Sequence, residues 1–121
     1  MLRSLTVERR PGLFVYVSLE RPDAALLARS AAMIEESEGV TLILTVEAAR
    51  DAGLTPVYEA VWLTLAVQSS LEAIGLTAAV SAALTAAGIP CNVLAGMYHD
   101  HLLVPAALAA EAQALLTELS A

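Results

Sequence analysis

Apolar and polar positions alternate strictly from Leu13 to Leu19, with Leu13, Val15, Val17 and Leu19 on one side and Phe14, Tyr16 and Ser18 on the other. That period of two predicts a half-buried strand. Leu2 to Val7 predicts a shorter one, and Arg10-Pro11-Gly12 between them is a turn signal, so the two are expected to pair as a hairpin. Arg21-Pro22-Asp23 stops the second strand, and Asp23 is placed to cap a helix from Ala24 to Glu36. On that helix Leu27, Ala31 and Ile34, with Met33, form the expected core stripe, which Ser37-Glu38-Gly39 ends. Thr41 to Glu47 reads as a strand with Leu42, Leu44 and Val46 opposite Ile43 and Thr45, followed by a short helix or turn over Ala48 to Gly53.

The run from Trp62 to Val67 is apolar on both faces, as suits a strand between packed layers. Gln68-Ser69-Ser70 interrupts it, Gly75 permits close backbone approach, and Thr77 is placed to cap a helix whose face is Val80, Ala83, Leu84 and Ala87. Gly88 is positioned as a C-cap and Pro90 prevents the helix from resuming. Strands are expected over Cys91 to Ala95 and about His99 to Val104. After Pro105, Leu108, Ala112, Leu115, Leu116 and Leu119 mark a closing amphipathic helix. The order is ββαβ, a short helix, then βαββα. This is an α+β chain of two ferredoxin-like βαβ units side by side, with a mixed, partly antiparallel sheet and helices on one face. An abbreviated unit is expected over residues 1–56 and a second over 57–121.

Composition changes this picture in two ways. The hydrophobic fraction, 58%, exceeds the roughly 45–50% usual for a globular domain, so surplus apolar surface is expected at a subunit interface, most simply that of a two-fold homodimer. The net charge of −7, with six Arg and no Lys, excludes the concentrated basic face that nucleic acid or an anionic membrane surface requires. The longest uncharged run, Ala73 to Tyr98, is broken by Gly75, Gly88, Pro90 and Asn92, so no membrane span is expected. The start of the chain has no signal-peptide core, and the single Cys91 suits a reducing compartment. A cytoplasmic protein is the expectation.

Two stretches carry candidate chemistry. The loop Gln68 to Thr77 joins a strand to a helix start, where unpaired N–H groups and the helix dipole favour a carboxylate. Ser69 and Ser70 add hydroxyls and Glu72 a counter-charge for an amine, a combination that suits a free amino acid; an ordinary capped connection explains the same residues. His99-Asp100-His101 offers two histidines on one strand face, which a metal or an acid–base site would need. No further Cys/His cluster supports a metal, and a turn that hydrogen-bonds sheet-edge backbone explains them equally. Gly-x-Ser-x-Gly, G-x-G-x-x-G and Walker patterns are absent, and Cys91 sits in a strand that would bury it. No cofactor is implied.

The run Glu72-Ala-Ile-Gly75-Leu-Thr-Ala-Ala-Val-Ser-Ala-Ala-Leu-Thr-Ala-Ala-Gly-Ile89, with Gln68-Ser69-Ser70-Leu71 before it, resembles the hallmark of the ACT domain. Gly88-Ile-Pro-Cys-Asn-Val-Leu-Ala-Gly96 and Tyr98-His-Asp-His-Leu-Leu-Val-Pro105 extend the likeness to a group of small bacterial ACT proteins. These are similar to the C-terminal regulatory part of aspartate kinases and, more distantly, to CASTOR arginine sensors. The resemblance is specific from Trp62 to about Leu116 and weak over residues 1–56. It implies a βαββαβ regulatory module that binds an amino acid or another small ligand, commonly between two copies, with no catalysis. By position it implies ligand-binding roles for Ser69, Ser70, Glu72, Ile74, Gly75, Leu76 and Asn92. Glu72 stands where many members have Asp, and Ile74 replaces the Pro before the turn Gly. Pro90 takes the place of the Asn after Gly-Ile, with Asn92 two residues later. With no enzyme domain in the sequence, any regulated enzyme is expected on a separate chain. The alternatives are a structural protein–protein interaction module without ligand and a small metal-assisted enzyme using His99 and His101.

Overall fold

A computed structural model describes residues 2–56, 58–68 and 70–120. Its elements in chain order are β1 (Thr6–Arg9), β2 (Phe14–Leu19), α1 (Ala24–Arg29), β3 (Ala32–Glu36), β4 (Gly39–Thr45), α2 (Val46–Asp51), β5 (Ala60–Ala66), α3 (Ser70–Ala86), β6 (Asn92–Ala95), β7 (Asp100–Pro105) and α4 (Ala109–Ser120). They divide into two compact units, Gly12–Ala60 and the remainder, residues 2–11 with 61–120.

In the unit Gly12–Ala60 the strand order is β3-β4-β2, all antiparallel, and Ala60 at the start of β5 pairs with Phe14. The alternation of β2 and β4 sends Val15, Leu42 and Leu44 to one face, where Val46, Ala48 and Ala49 of α2 complete a buried cluster. Thr45 starts α2 by accepting the amide of Ala48 at 3.1 Å. Asp23 does the same for α1, accepting the amide of Leu26 at 2.8 Å. The helix it caps is much shorter than the expected Ala24 to Glu36. Ser30 ends it, its hydroxyl bonded to the Leu26 carbonyl and its amide to the Leu27 carbonyl. The amide of Ala31 then donates to Ile43, drawing the chain into the sheet as edge strand β3, with Met33 opposite Leu42 and Ile34 opposite Thr41. Met33 and Ile34 are therefore half-exposed edge residues and no helical core stripe. Ser37-Glu38 forms the β3–β4 turn.

The second unit corrects the expected N-terminal hairpin. β1 does not pair with β2; it pairs antiparallel with β5, Thr6 opposite Ala66 and Arg9 opposite Leu63, and the Arg10 amide donates to the Trp62 carbonyl at 2.9 Å. The spatial order is β1-β5-β7-β6. In chain order this unit is β5-α3-β6-β7-α4, and its fourth strand comes from the N-terminus. Likewise β2-α1-β3-β4-α2 with the start of β5 makes the other unit, so both are ferredoxin-like. Residues 2–11 lie with 61–120 because β1 completes that sheet.

β5 is buried along both faces, as its unbroken apolar run predicts. Leu63 and Leu65 of β5, Leu102 and Val104 of β7, and Leu76, Val80 and Leu84 of α3 are buried, with Ala109, Ala112 and Leu116 of α4. α3 packs against α4, and the Leu2 amide bonds to the Leu119 carbonyl, tying the chain start to the end of α4. Gly88 adopts φ +72° just past α3, and the Ile89 amide closes back on the Leu84 carbonyl at 2.9 Å. Among the described residues no helix is long and apolar enough to cross a membrane.

Candidate functional site

The end of β5 and the start of α3 were expected to enclose a polar loop running to Thr77. α3 instead begins at Ser70, so Glu72, Ile74, Gly75, Leu76 and Thr77 are all helical. Leu71-Glu72-Ala73 are good helix formers, and one interior glycine costs about 1 kcal/mol against alanine, too little to stop a helix that buries Leu76, Val80 and Leu84. The connection shrinks to Val67-Gln68 and Ser69, of which Ser69 lies outside the described residues.

Each candidate then has a definite place. Ser70 is the exposed first residue of α3. Gly75 faces open space, a Cβ there meeting nothing within 4 Å. Ile74 projects outward and Leu76 is buried. Asn92 is exposed at the start of β6, paired with Leu103, away from the β6–β7 turn. Glu72 is held from within the chain: its carboxylate accepts from the Ser4 hydroxyl and, at 3.1 Å, from the Ser4 amide. The Gln68 amide in turn donates to the Ser4 hydroxyl at 3.1 Å. The Ser4 hydroxyl bond, aided by the amide, holds the Glu72 carboxyl below its ordinary range. Ser4 thus links the chain start to the strand–helix connection. A contact spanning so much sequence leaves no local signal.

A cleft of about 190 Å³ opens beside this connection. The end of β5 (Leu65, Ala66), Ala73 and Leu76 of α3, and the turn from Gly96 to Asp100 form its walls. Gly96 is required in that turn. Its amide donates to the His99 carbonyl at 2.9 Å, and a Cβ on it would stand 2.8 Å from that carbonyl oxygen and 3.1 Å from His101 Nε2. Met97 and Tyr98, which line the cleft, are 92% and 85% exposed, and Leu71 and Ile74 of α3 are 79% and 85% exposed.

His99 lies in the turn just before β7, outside the strand that was expected to start there, and its ring stands edge-on to that of His101 in β7, the centroids 6.4 Å apart. His101 Nδ1 lies 3.2 Å from Trp62 Nε1 and 3.0 Å from Thr64 Oγ1. The indole N–H can only donate, and Thr64 Oγ1, also 3.2 Å from Trp62 Nε1, shares it with Nδ1, so the three side chains form one hydrogen-bonded cluster. Burial lowers the His101 pKa, the neighbouring His99 and the Arg10 guanidinium act in the same direction, and Asp100 opposes them. The Arg10 guanidinium stands 4.9 Å over the Trp62 ring, next to the same cluster. His101 therefore joins two side chains of β5, where a backbone-bonded turn was expected. Among the described residues no group of three His, Cys, Asp or Glu side chains could hold a metal ion.

Comparison with known proteins gives two family-model matches, both described as ACT domain, over residues 1–61 and 57–118. No curated protein matches. Among solved structures, a Vibrio cholerae protein of unknown function, described as a possible transport protein, is 37% identical with a TM-score of 0.90, covering 99% of this chain and 93% of that one. An Agrobacterium tumefaciens protein is 16% identical with a TM-score of 0.68, covering 96% and 89%. A domain from Porphyromonas gingivalis, described as a candidate C-terminal regulatory domain of aspartate kinase, is 14% identical with a TM-score of 0.60, covering 94% and 95%. The last two likenesses concern the fold alone.

Proposed function

The chain belongs to the ACT-domain family, and from that premise we propose that it is a non-catalytic regulatory or sensor protein that binds a free amino acid. ACT domains are typically regulatory modules for small molecules. The observation that carries the proposal is the cleft bounded by β5, α3 and the Gly96–Asp100 turn. Its volume is below the roughly 300–1,000 Å³ of drug-sized sites, which suits a ligand of few atoms. Amide groups in the first turn of α3 would meet the ligand carboxylate. Asp100, which lines the cleft, would receive the amine, since Glu72 is already held by Ser4. In this reading the exposed apolar side chains of Leu71, Ile74, Met97 and Tyr98 are covered by a second copy, giving a homodimer in the cytoplasm that acts on an enzyme carried by a separate chain.

The test is a thermal-shift and calorimetric screen of unfolded-and-refolded, ligand-free protein against the common amino acids. A stabilising amino acid whose effect disappears in Asp100→Asn supports the proposal; no response from any of them overturns it. The same exposed side chains favour one second reading, a protein–protein interaction module without ligand. That reading predicts no amino-acid response together with loss of self-association or partner capture in Tyr98→Asp.

A further inference from the structure

The unit Gly12–Ala60 carries its own cavity, of about 550 Å³, between α1, α2 and the loop that follows β2. We propose that this groove binds a small monocarboxylate with a branched apolar body, at a site separate from the cleft beside α3. Its volume is within the range of small-molecule sites. It is open because alanines face it: Ala25 on α1, Ala48 on α2 and Ala52 at the C-cap of α2. α1 buries none of its residues, and Leu19, Leu26 and Leu54 around the groove are only half-buried. Apolar atoms placed there would gain the contacts that α1 lacks.

The charges at its mouth select the polar group. Arg21 makes no hydrogen bond or ion pair among the described residues, and Arg29 donates one N–H to Asp51 at 3.1 Å. A guanidinium has five such donors in a fork that matches a carboxylate. The Arg29–Asp51 bridge is exposed on both sides and of the kind that contributes little, so a ligand carboxylate can share or replace it. Asp23 is already engaged as the cap of α1. Glu20 and Asp51, also at the mouth, disfavour a dianion such as phosphate and leave room for a single negative charge.

The test uses the full chain, isotope-labelled for NMR, titrated with 4-methylpentanoate and with the isosteric 4-methylpentanamide. The expected result is saturable shifts of the Ala25, Ala48 and Ala52 signals by the carboxylate, with the amide about tenfold or more weaker. Arg29→Gln is expected to weaken the carboxylate by about the same factor. Ala25→Leu, an exposed helical site that keeps the fold and fills the groove, removes the shifts. Equal binding of acid and amide, shifts confined to the Met97–Tyr98 region, or no saturable shift would each overturn the proposal. Failure of amino-acid binding at the α3 cleft reads out on different signals and leaves this result untouched.

Discussion

Two glycines provide the sharpest test of how the strand–helix–strand segment is built, because alanine should act with opposite sign at each. At Gly96 a new Cβ would lie 2.8 Å from the His99 carbonyl oxygen, a backbone atom, and 3.1 Å from His101 Nε2. His101 cannot retreat without leaving Trp62 and Thr64, and His99 cannot move without breaking the bond from the Gly96 amide. Loss of one turn bond and of one shared side-chain bond, at about 1 kcal/mol each, sets the cost of Gly96→Ala on the order of 2 kcal/mol. For a chain of this size that lowers Tm by roughly 5–10 °C. At Gly75, in the interior of α3, a Cβ meets nothing, so Gly75→Ala should stabilise by about 0.5–1 kcal/mol through helix propensity. Thermal unfolding followed by far-UV dichroism and by the fluorescence of Trp62, the single tryptophan, measures both. A Gly75→Ala variant less stable than wild type, or a Gly96→Ala variant within about 0.5 kcal/mol of it, would refute this account of the turn and of where α3 begins.

Leu5, buried just before β1, should behave as a core residue: Leu5→Ala is expected to cost about 2–4 kcal/mol in denaturant unfolding, against under about 0.5 kcal/mol for an unpaired terminus. Because the folded-state pKa of His101 lies below its ordinary 6.5, the unfolded chain binds the extra proton first. That contribution to stability is complete above pH 6.5 and is lost as pH falls through the lowered pKa; His101→Gln should flatten this part of a stability-against-pH profile, and an unchanged slope would remove His101 as its origin. The Glu72 contribution works lower down, present above about pH 4.5 and lost below, and Ser4→Ala should move the Glu72 carboxyl titration, followed by NMR, up toward 4.5. On edge strand β3, Ile34→Thr should cost no more than about 1 kcal/mol, whereas Leu42→Ala on the neighbouring strand should cost about 2–4 kcal/mol, a contrast that a helical core stripe would reverse.

What could be read from the sequence follows the range of each physical signal. The stop after α3 was legible because Gly88 and Pro90 act locally, and β5 because its whole length is apolar. The segment after Asp23 was misread because Leu27, Ala31 and Ile34 fit a helical period, while Ser30 and the pairing of β3 with β4 decide otherwise. The loop expected up to Thr77 rested on Gly75 as a point of close backbone approach and Thr77 as an N-cap, and burial of Leu76, Val80 and Leu84 outweighs both. The engagement of Glu72 by Ser4 and the Trp62–Thr64–His101 cluster join residues far apart in sequence, for which one chain read alone has no marker. The groove between α1 and α2 was equally invisible, since alanines in short helices announce no cavity.

The pairing of β1 with β5 also sets an order of events during synthesis. β1 leaves the ribosome first, yet its partner is made only after everything from Gly12 to Ala60 has emerged. The unit Gly12–Ala60 can close on its own contacts almost as soon as its last strand appears, while β1 waits as an unpaired edge. The other sheet cannot be completed until the long loop between β1 and β5 is closed. Because the Arg10 amide meets the Trp62 carbonyl, the inserted unit enters and leaves at one point. A short turn joining those two residues would convert β1 and β5 into an ordinary hairpin, removing the wait and speeding assembly of the α3–α4 unit.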